Sequence, residues 1–165
     1  MHGTQILSCE EGNPYPKEAD GLFMSWEKPS CLAIITADCL PLFALGKKGV
    51  VALHAGWRGL ASGIIQEKKM QECEPEYFYI GPHIRACCYE VSLDFSKNFP
   101  QSKAFLTLND KFYFDLTYEA KNQIHKLFPH AMIEESPLCT YCHSSLHSYR
   151  REGKGTRNWN IYRLE

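Results

Sequence analysis

The sequence predicts an α/β (α+β) single domain, a mixed β-sheet sandwich with flanking helices, and three observations predict it. The runs "CLAIITAD" and "VVALHAG" are continuous, apolar and rich in β-branched residues, as buried strands are. Segments with helical spacing of apolar residues, such as "DLTYEAKNQIHKLF", alternate with further short strands. The 165 residues suit one domain, and no fixed-period repeat, low-complexity tract or linker divides residues 1–165.

The elements follow in chain order. Residues 1–20 are polar and turn-rich, and "GNPYP" reads as a loop. "CLAIITAD" (31–38) and "VVALHAG" (50–56) read as central strands, separated by Pro41 and the turn "GKKG". From Arg58 onward Leu60, Ile64, Ile65 and Met70 recur near helical spacing, while Gln66, Glu67, Lys68 and Lys69 supply a wet face. A helix therefore begins just after Gly56 and Trp57. "EYFYIGP" (76–82) is the next strand, and "KFYFDL" (111–116) alternates like another. Residues 115–128 form an amphipathic helix for which Asp115 is the N-cap. "AMIEES" and "NWNIYRL" add strands, and "HSYRREGKGTR" is a charged connector.

Charge excludes some partners. With 18 Lys+Arg against 19 Asp+Glu the formal charge is -1, so the basic footprint of a nucleic-acid binder or polybasic membrane patch is missing. No stretch approaches the roughly 20 apolar residues that span a bilayer, and the N-terminus has no signal-peptide pattern. The expectation is a cytoplasmic monomer or homodimer with a small-molecule partner, without nucleic acid or membrane. In that compartment the eight cysteines stay reduced and point to metal, catalysis or plain packing.

Two adjacent runs end in reactive residues. "IITADCLPLF" delivers Asp38 and Cys39, and "VVALHAGWRG" delivers His54, Trp57 and Arg58. If the strands pair, Cys39 and His54 converge at one end of the sheet, where open α/β folds place ligands. With His2 they offer a thiolate and two imidazoles, a set suited to zinc with the fourth position left open. Core packing of Cys39 beside a hydrogen-bonded His54 competes with this and is slightly favoured on spacing alone, since no short metal motif joins them. Arg58 suits bidentate binding of phosphate or carboxylate, with amides at the helix start as further donors. A solvated helix residue is the plainer reading.

Other motifs are weaker. "CTYCHSS" matches a c-type haem attachment pattern, which requires export. Cys139, Cys142, His143 and His147 form a conceivable zinc set without an obvious second paired half, and a buried cysteine pair at a turn is favoured. In "ACCYEV" the adjacent Cys87 and Cys88 point to opposite faces if the segment is a strand. His83, His125 and His130 carry no companion motif.

In order, "HGTQI", "ADGLFM", "TADCLPLF", "HAGWRG", "IGPHIRACCYEV", "FDL", "CTYC" and "SYRREGKGTR" resemble the YfiH-type laccase-domain family, also described as the peptidoglycan editing factor or purine nucleoside phosphorylase family. The resemblance implies an α/β sandwich like that of the Cys-His toxin deamidases of the CNF type. It implies zinc on His2, Cys39 and His54, and reverses the weighting of the metal site. Family members carry several tens of residues before "Q-V-H-G", so the chain is expected to lack the family's N-terminal segment. They more often have an acidic residue after the second cysteine of "CTYC".

The expected function is that of a zinc-dependent purine nucleoside enzyme, catalysing phosphorolysis of adenosine or inosine and adenosine deamination. Cys39, His54 and Arg58 are its candidate catalytic residues. Arg58 and Arg150 are expected to hold phosphate, Trp57 and Tyr149 to stack the purine, and Asp38 to line the substrate site. Alternatives are a Cys-His amide hydrolase editing a peptidoglycan precursor, a copper-dependent polyphenol oxidase, and a non-catalytic metal-stabilised nucleoside-binding domain. Zinc is favoured over copper because the residues offer one three-ligand site and no multi-copper cluster.

Overall fold

Strands form at the predicted runs, but also at 6–8, inside the stretch read as turn-rich, and at 21–25, 40–46 and 105–108, where none was predicted. Their partners also differ from the simplest pairing. The structure, a computed structural model, describes residues 3–9, 19–27, 31–153 and 155–163. His2 and the expected loop at "GNPYP" lie outside the described residues. A mixed six-stranded sheet contains β1 (Ile6–Ser8), β2 (Gly21–Ser25), β4 (Leu40–Gly46), β5 (Gly49–Ala55), β6 (Pro75–Ile80) and β9 (Met132–Glu135). Its order is β1-β2-β5-β4-β6-β9, with β1–β2 and β6–β9 parallel and the rest antiparallel. Two smaller antiparallel pairs join β3 (Cys31–Thr36) to β10 (Asn158–Arg163) and β7 (Phe105–Leu108) to β8 (Lys111–Phe114).

The expected pairing of run 31–38 with run 50–56 is therefore corrected. Residues 40–46, which contain Pro41, pair with β5, while β3 leaves for the second layer. Pro41 is tolerated because it stands at the strand's beginning: it lacks an N–H, and its carbonyl accepts from Gly81 at 2.9 Å. At the other end of the hairpin, Gly46 and Gly49 flank the turn. A Cβ on Gly46 would meet the Cys73 carbonyl, and one on Gly49 the Met24 carbonyl.

Strand alternation divides the interior into two cores. Leu40, Leu42, Ala44, Val51, Leu53, Ala55, Phe78 and Ile80 face one side, towards the helices. Phe43, Val50 and Ala52 face the other, where Leu32 and Ile34 of β3 cover them with Met24. The central strands read as unbroken apolar runs because both of their faces are covered. Each fully buried leucine or isoleucine contributes about 1.5–3 kcal/mol of transfer free energy.

The helix expected after Trp57 is broken. It becomes α1 (Trp57–Ala61), a 3₁₀ turn at Ile64–Gln66 and α2 (Lys68–Glu72). Gly63, at φ 82°, and Glu67, at ψ 145°, interrupt it. Leu60, Ile64, Ile65 and Met70 still reach the core, so the apolar spacing was a burial signal rather than a helical one. α3 (Leu116–Leu127) forms as expected, with the Asp115 carboxylate accepting the Tyr118 N–H at 3.0 Å. The connector "HSYRREGKGTR" contains a single helical turn, α4 (Tyr149–Glu152), capped by Ser148.

His83 lies fully buried between sheet and helix. Its Nδ1 is 2.8 Å from the Gly81 carbonyl and its Nε2 is 2.7 Å from Thr117 Oγ1. Burial holds its pKa down, from 6.5 to about 4. The unfolded chain thus gains a proton on this ring near pH 6.5 that the native chain refuses until near pH 4, so stability falls as pH drops through that window and is unaffected above it. The loss is expected to approach about 3 kcal/mol. Urea midpoints measured from pH 7 to 4.5 should show this decline, and His83→Gln should flatten it.

Candidate functional site

The open end of the β4–β5 hairpin gathers the reactive residues. Leu40 pairs with Ala55 and Pro41 with His54, and Cys39 stands immediately before the strand. The His54 backbone N–H donates to the Asp20 carbonyl at 2.8 Å. The Asp20 carboxylate accepts in turn from the N–H groups of Gly3 at 2.8 Å and Gln5 at 3.2 Å. A Cβ on Gly59 of α1 would stand 3.2 Å from the Gly3 carbonyl. The residue following His2 is therefore anchored at the same sheet end as His54.

Asp38 holds the other side of this end. It adopts φ 83°, a left-handed conformation that aspartate tolerates better than most side chains. Its Oδ1 accepts from Thr140 Oγ1 at 2.7 Å, and its Oδ2 from the Arg150 backbone N–H at 2.7 Å. Arg151 reinforces the same loop: its Nη1 donates to the carbonyls of Thr140 and Tyr141, both at 2.9 Å. Asp38 is thus engaged by the fold on both oxygens.

Charges converge on Cys39. Burial, then the neighbouring Asp38, pushes its thiol up to about 11, against a downward pull from Arg157 and Arg58. Tyr89 is raised by burial and by Cys39, and lowered by Arg150 and Arg58, so these groups share one electrostatic environment. The Arg150 guanidinium lies 5.3 Å from the Tyr89 ring centre and donates to the Glu90 carbonyl at 2.8 Å. The Arg58 guanidinium stacks 4.3 Å over the Trp57 ring, which meets Phe95 edge-on at 5.0 Å. Trp57 therefore backs the arginine, while Tyr149 keeps 60% of its surface exposed.

Sequence reasoning missed Tyr89 and Arg157. Tyr89 lies inside "IGPHIRACCYEV" with nothing to mark it, while Arg157 is one of the four basic residues of "SYRREGKGTR", a run weighed as a cover for an anion and read as a solvated loop. The anion-binding role expected of the helix start weakens, because α1 is little more than one turn and its dipole is correspondingly small. The groove between Leu60, Phe99, Glu119 and Gln123 holds none of these residues.

The cysteines outside this end also rearrange. Residues 86–88 form a turn, not a strand, so Cys87 and Cys88 can face the same point. They lie with Cys139 and Cys142 in one group whose sulfurs are all within 4.8 Å of one another, a set that could hold a metal ion. The conceivable set with His143 and His147 does not form: His143 pairs with Ser145 at 2.8 Å and His147 faces Glu152 at 3.6 Å.

The Asp38 clasp has a measurable cost of removal. Asp38→Asn keeps the left-handed backbone accessible but turns one acceptor into a donor, and should destabilise by about 1–2 kcal/mol. Asp38→Ala loses both acceptors and adds backbone strain of about 1 kcal/mol, so it should cost more. Urea midpoints and hydrogen exchange at the Arg150 amide report this. An unchanged midpoint for Asp38→Ala would show that the clasp contributes nothing.

Known proteins resemble the chain in sequence and fold. A family model described as multi-copper polyphenol oxidoreductase laccase matches residues 1–164. A purine nucleoside phosphorylase of Aquifex aeolicus (strain VF5) is 32% identical over 155 residues, covering 92% of this chain and 73% of that protein. Purine nucleoside phosphorylase YfiH of Escherichia coli (strain K12) is 32% identical over 164 residues, covering 92% of this chain and 66% of that protein. The crystal structure of Bacillus licheniformis hypothetical protein YfiH matches with TM-score 0.82 and 30% identity, over 100% of this chain and 72% of that chain. The chain thus spans about two thirds to three quarters of the length of these relatives. Fold, motifs and comparisons agree that this chain belongs to the YfiH-type laccase-domain family.

Proposed function

We propose that residues 1–165 act as one domain, a cytoplasmic purine nucleoside enzyme that uses zinc held by His2, Cys39 and His54. The observation that carries this reading is the meeting, at one sheet end, of two soft metal donors with the cations Arg58 and Arg150. The donor set fits zinc, since thiolate and imidazole are ligands it prefers. The anchoring of Gly3 by Asp20 brings the chain next to His2 to that end. No described helix is long and apolar enough to cross a membrane. The relatives named purine nucleoside phosphorylase support the substrate class.

Bound there, zinc would acidify a water or polarise a substrate oxygen. Arg58, held flat by Trp57, and Arg150, fixed by Glu90, suit bidentate binding of phosphate. The exposed Tyr149 ring offers a stacking surface for the base. In phosphorolysis a phosphate oxygen forms a bond to ribose C1′ while the bond from C1′ to the base nitrogen breaks. The electron pair leaves with the base, which takes up a proton, giving free base and ribose 1-phosphate. Orienting the phosphate beside C1′ is the work assigned to the two arginines. Adenosine deamination at the same site, with water added at C6 and ammonia released, is the second activity.

Mass-spectrometric product analysis of zinc-loaded protein with adenosine, inosine and phosphate tests this. The wild type should give ribose 1-phosphate with free base, and inosine from adenosine, while Cys39→Ala and His54→Ala should abolish both. Arg58→Ala should raise KM for phosphate on the order of 10–100-fold, the loss of one charge-assisted contact. Unchanged turnover in folded Cys39→Ala and His54→Ala would overturn the proposal. Adenosine binding without product would make the chain a binding domain. Amide cleavage that survives chelation would make Cys39 a nucleophile with His54 as its base.

A further inference from the structure

We propose that Cys87, Cys88, Cys139 and Cys142 form a second metal site, a closed tetrahedral Zn²⁺ centre that braces the loop carrying Arg150. It is separate from the Cys39 and His54 end and requires neither nucleoside nor phosphate.

The distances match four thiolates around one ion. Zinc–sulfur bonds of about 2.3 Å in a tetrahedron place sulfurs about 3.8 Å apart. Cys87 and Cys88 Sγ are 3.4 Å apart, Cys88 and Cys142 3.2 Å, and Cys87 and Cys142 3.9 Å. With Cys139 included, all four sulfurs lie within 4.8 Å of one another. Small side-chain adjustments suffice to seat an ion among them.

Local backbone geometry produces the convergence. The Cys88 and Tyr89 N–H groups both donate to the Arg85 carbonyl, at 2.9 and 3.0 Å, closing a turn that lets adjacent cysteines face one point. The His143 N–H donates to the Cys139 carbonyl at 2.9 Å, so the C-x-x-C half forms one helical turn with its sulfurs on one side. The halves are stitched together by the Thr140 N–H on the His83 carbonyl at 3.0 Å. The Arg85 N–H points at Cys139 Sγ, 3.4 Å away. Amide donors around a ligand sulfur are the outer support that metal sites require.

Two simpler readings fit less well. Plain packing explains buried cysteines, but Cys87 and Cys142 are exposed and gain little from it. A disulfide needs a sulfur pair about 2.05 Å apart, whereas the closest pair here is 3.2 Å and Cys88 is nearly as close to a second thiol. All four are free cysteines.

The position gives the site its role. Between β9 and α4 the chain runs through turns with no regular element. A metal joining Cys139 and Cys142 to the turn after β6 would fix Thr140, which donates to Asp38. It would also fix the carbonyls that bind Arg151, and through them the placement of Arg150.

The test measures zinc and cobalt binding to the full chain, purified under reducing conditions. The thiolate-to-cobalt charge-transfer band of a tetrathiolate site is expected in the wild type and in Cys39→Ala. Cys87→Ser with Cys142→Ser, both exposed positions, should abolish that band and cost one zinc per chain by elemental analysis. Absence of the band from folded Cys39→Ala, or its survival in the Cys87→Ser and Cys142→Ser variant, would overturn the proposal. The wild-type and Cys39→Ala spectra decide the matter even if the double variant fails to fold.

Discussion

The Asp38 carboxylate is the constraint on which the functional end of the molecule depends. It joins the corner between β3 and β4 to Thr140 and Arg150, 102 and 112 residues further along the chain. Closing loops of that length is entropically costly, but the cost grows only slowly with length. A charged acceptor taking two short hydrogen bonds offsets part of it, at about 1.5–3 kcal/mol per bond to a charged group. The clasp holds the Arg150 backbone at the corner that leads to Cys39, while the Glu90 carbonyl holds its guanidinium.

The same carboxylate contributes to the electrostatics. It adds to the burial that disfavours a thiolate at Cys39, and Arg58 and Arg157 oppose it. Arginine cations at the edge of a covered sheet suit the binding of an anion such as phosphate. Arg58 lies flat on Trp57 and Arg150 is bonded to the Glu90 carbonyl, so each loses little freedom on binding an anion. The cysteine group stands behind this arrangement, linked to Asp38 through Thr140.

Much of the framework was legible in the sequence. A β-branched apolar run marked the strand around Leu53 and an aromatic run the one around Phe78, and Asp115 announced the start of α3 because capping chemistry is local. Pairing partners were not legible. Whether β5 meets residues 31–36 or 40–46 depends on which layer covers the Phe43 and Ala52 face, a property of the assembled core. The break at Gly63 was hidden because Leu60, Ile64 and Ile65 are buried in either conformation. That Cys39 and His54 share one sheet end was expected from a pairing that does not form; it comes instead from residues 40–46, which follow Cys39 and pair with β5. Tyr89 and the four-cysteine group were not legible. They depend on a turn at 86–88, where a strand would have sent the two cysteines to opposite faces.

The most direct test of the central claim is anomalous diffraction at the zinc absorption edge from crystals of the zinc-loaded protein. The account predicts a peak at the open end of the β4–β5 hairpin, bonded to Cys39 Sγ and an imidazole nitrogen of His54, with His2 completing the protein ligands. A catalytically active crystal form with no metal at that end would contradict it.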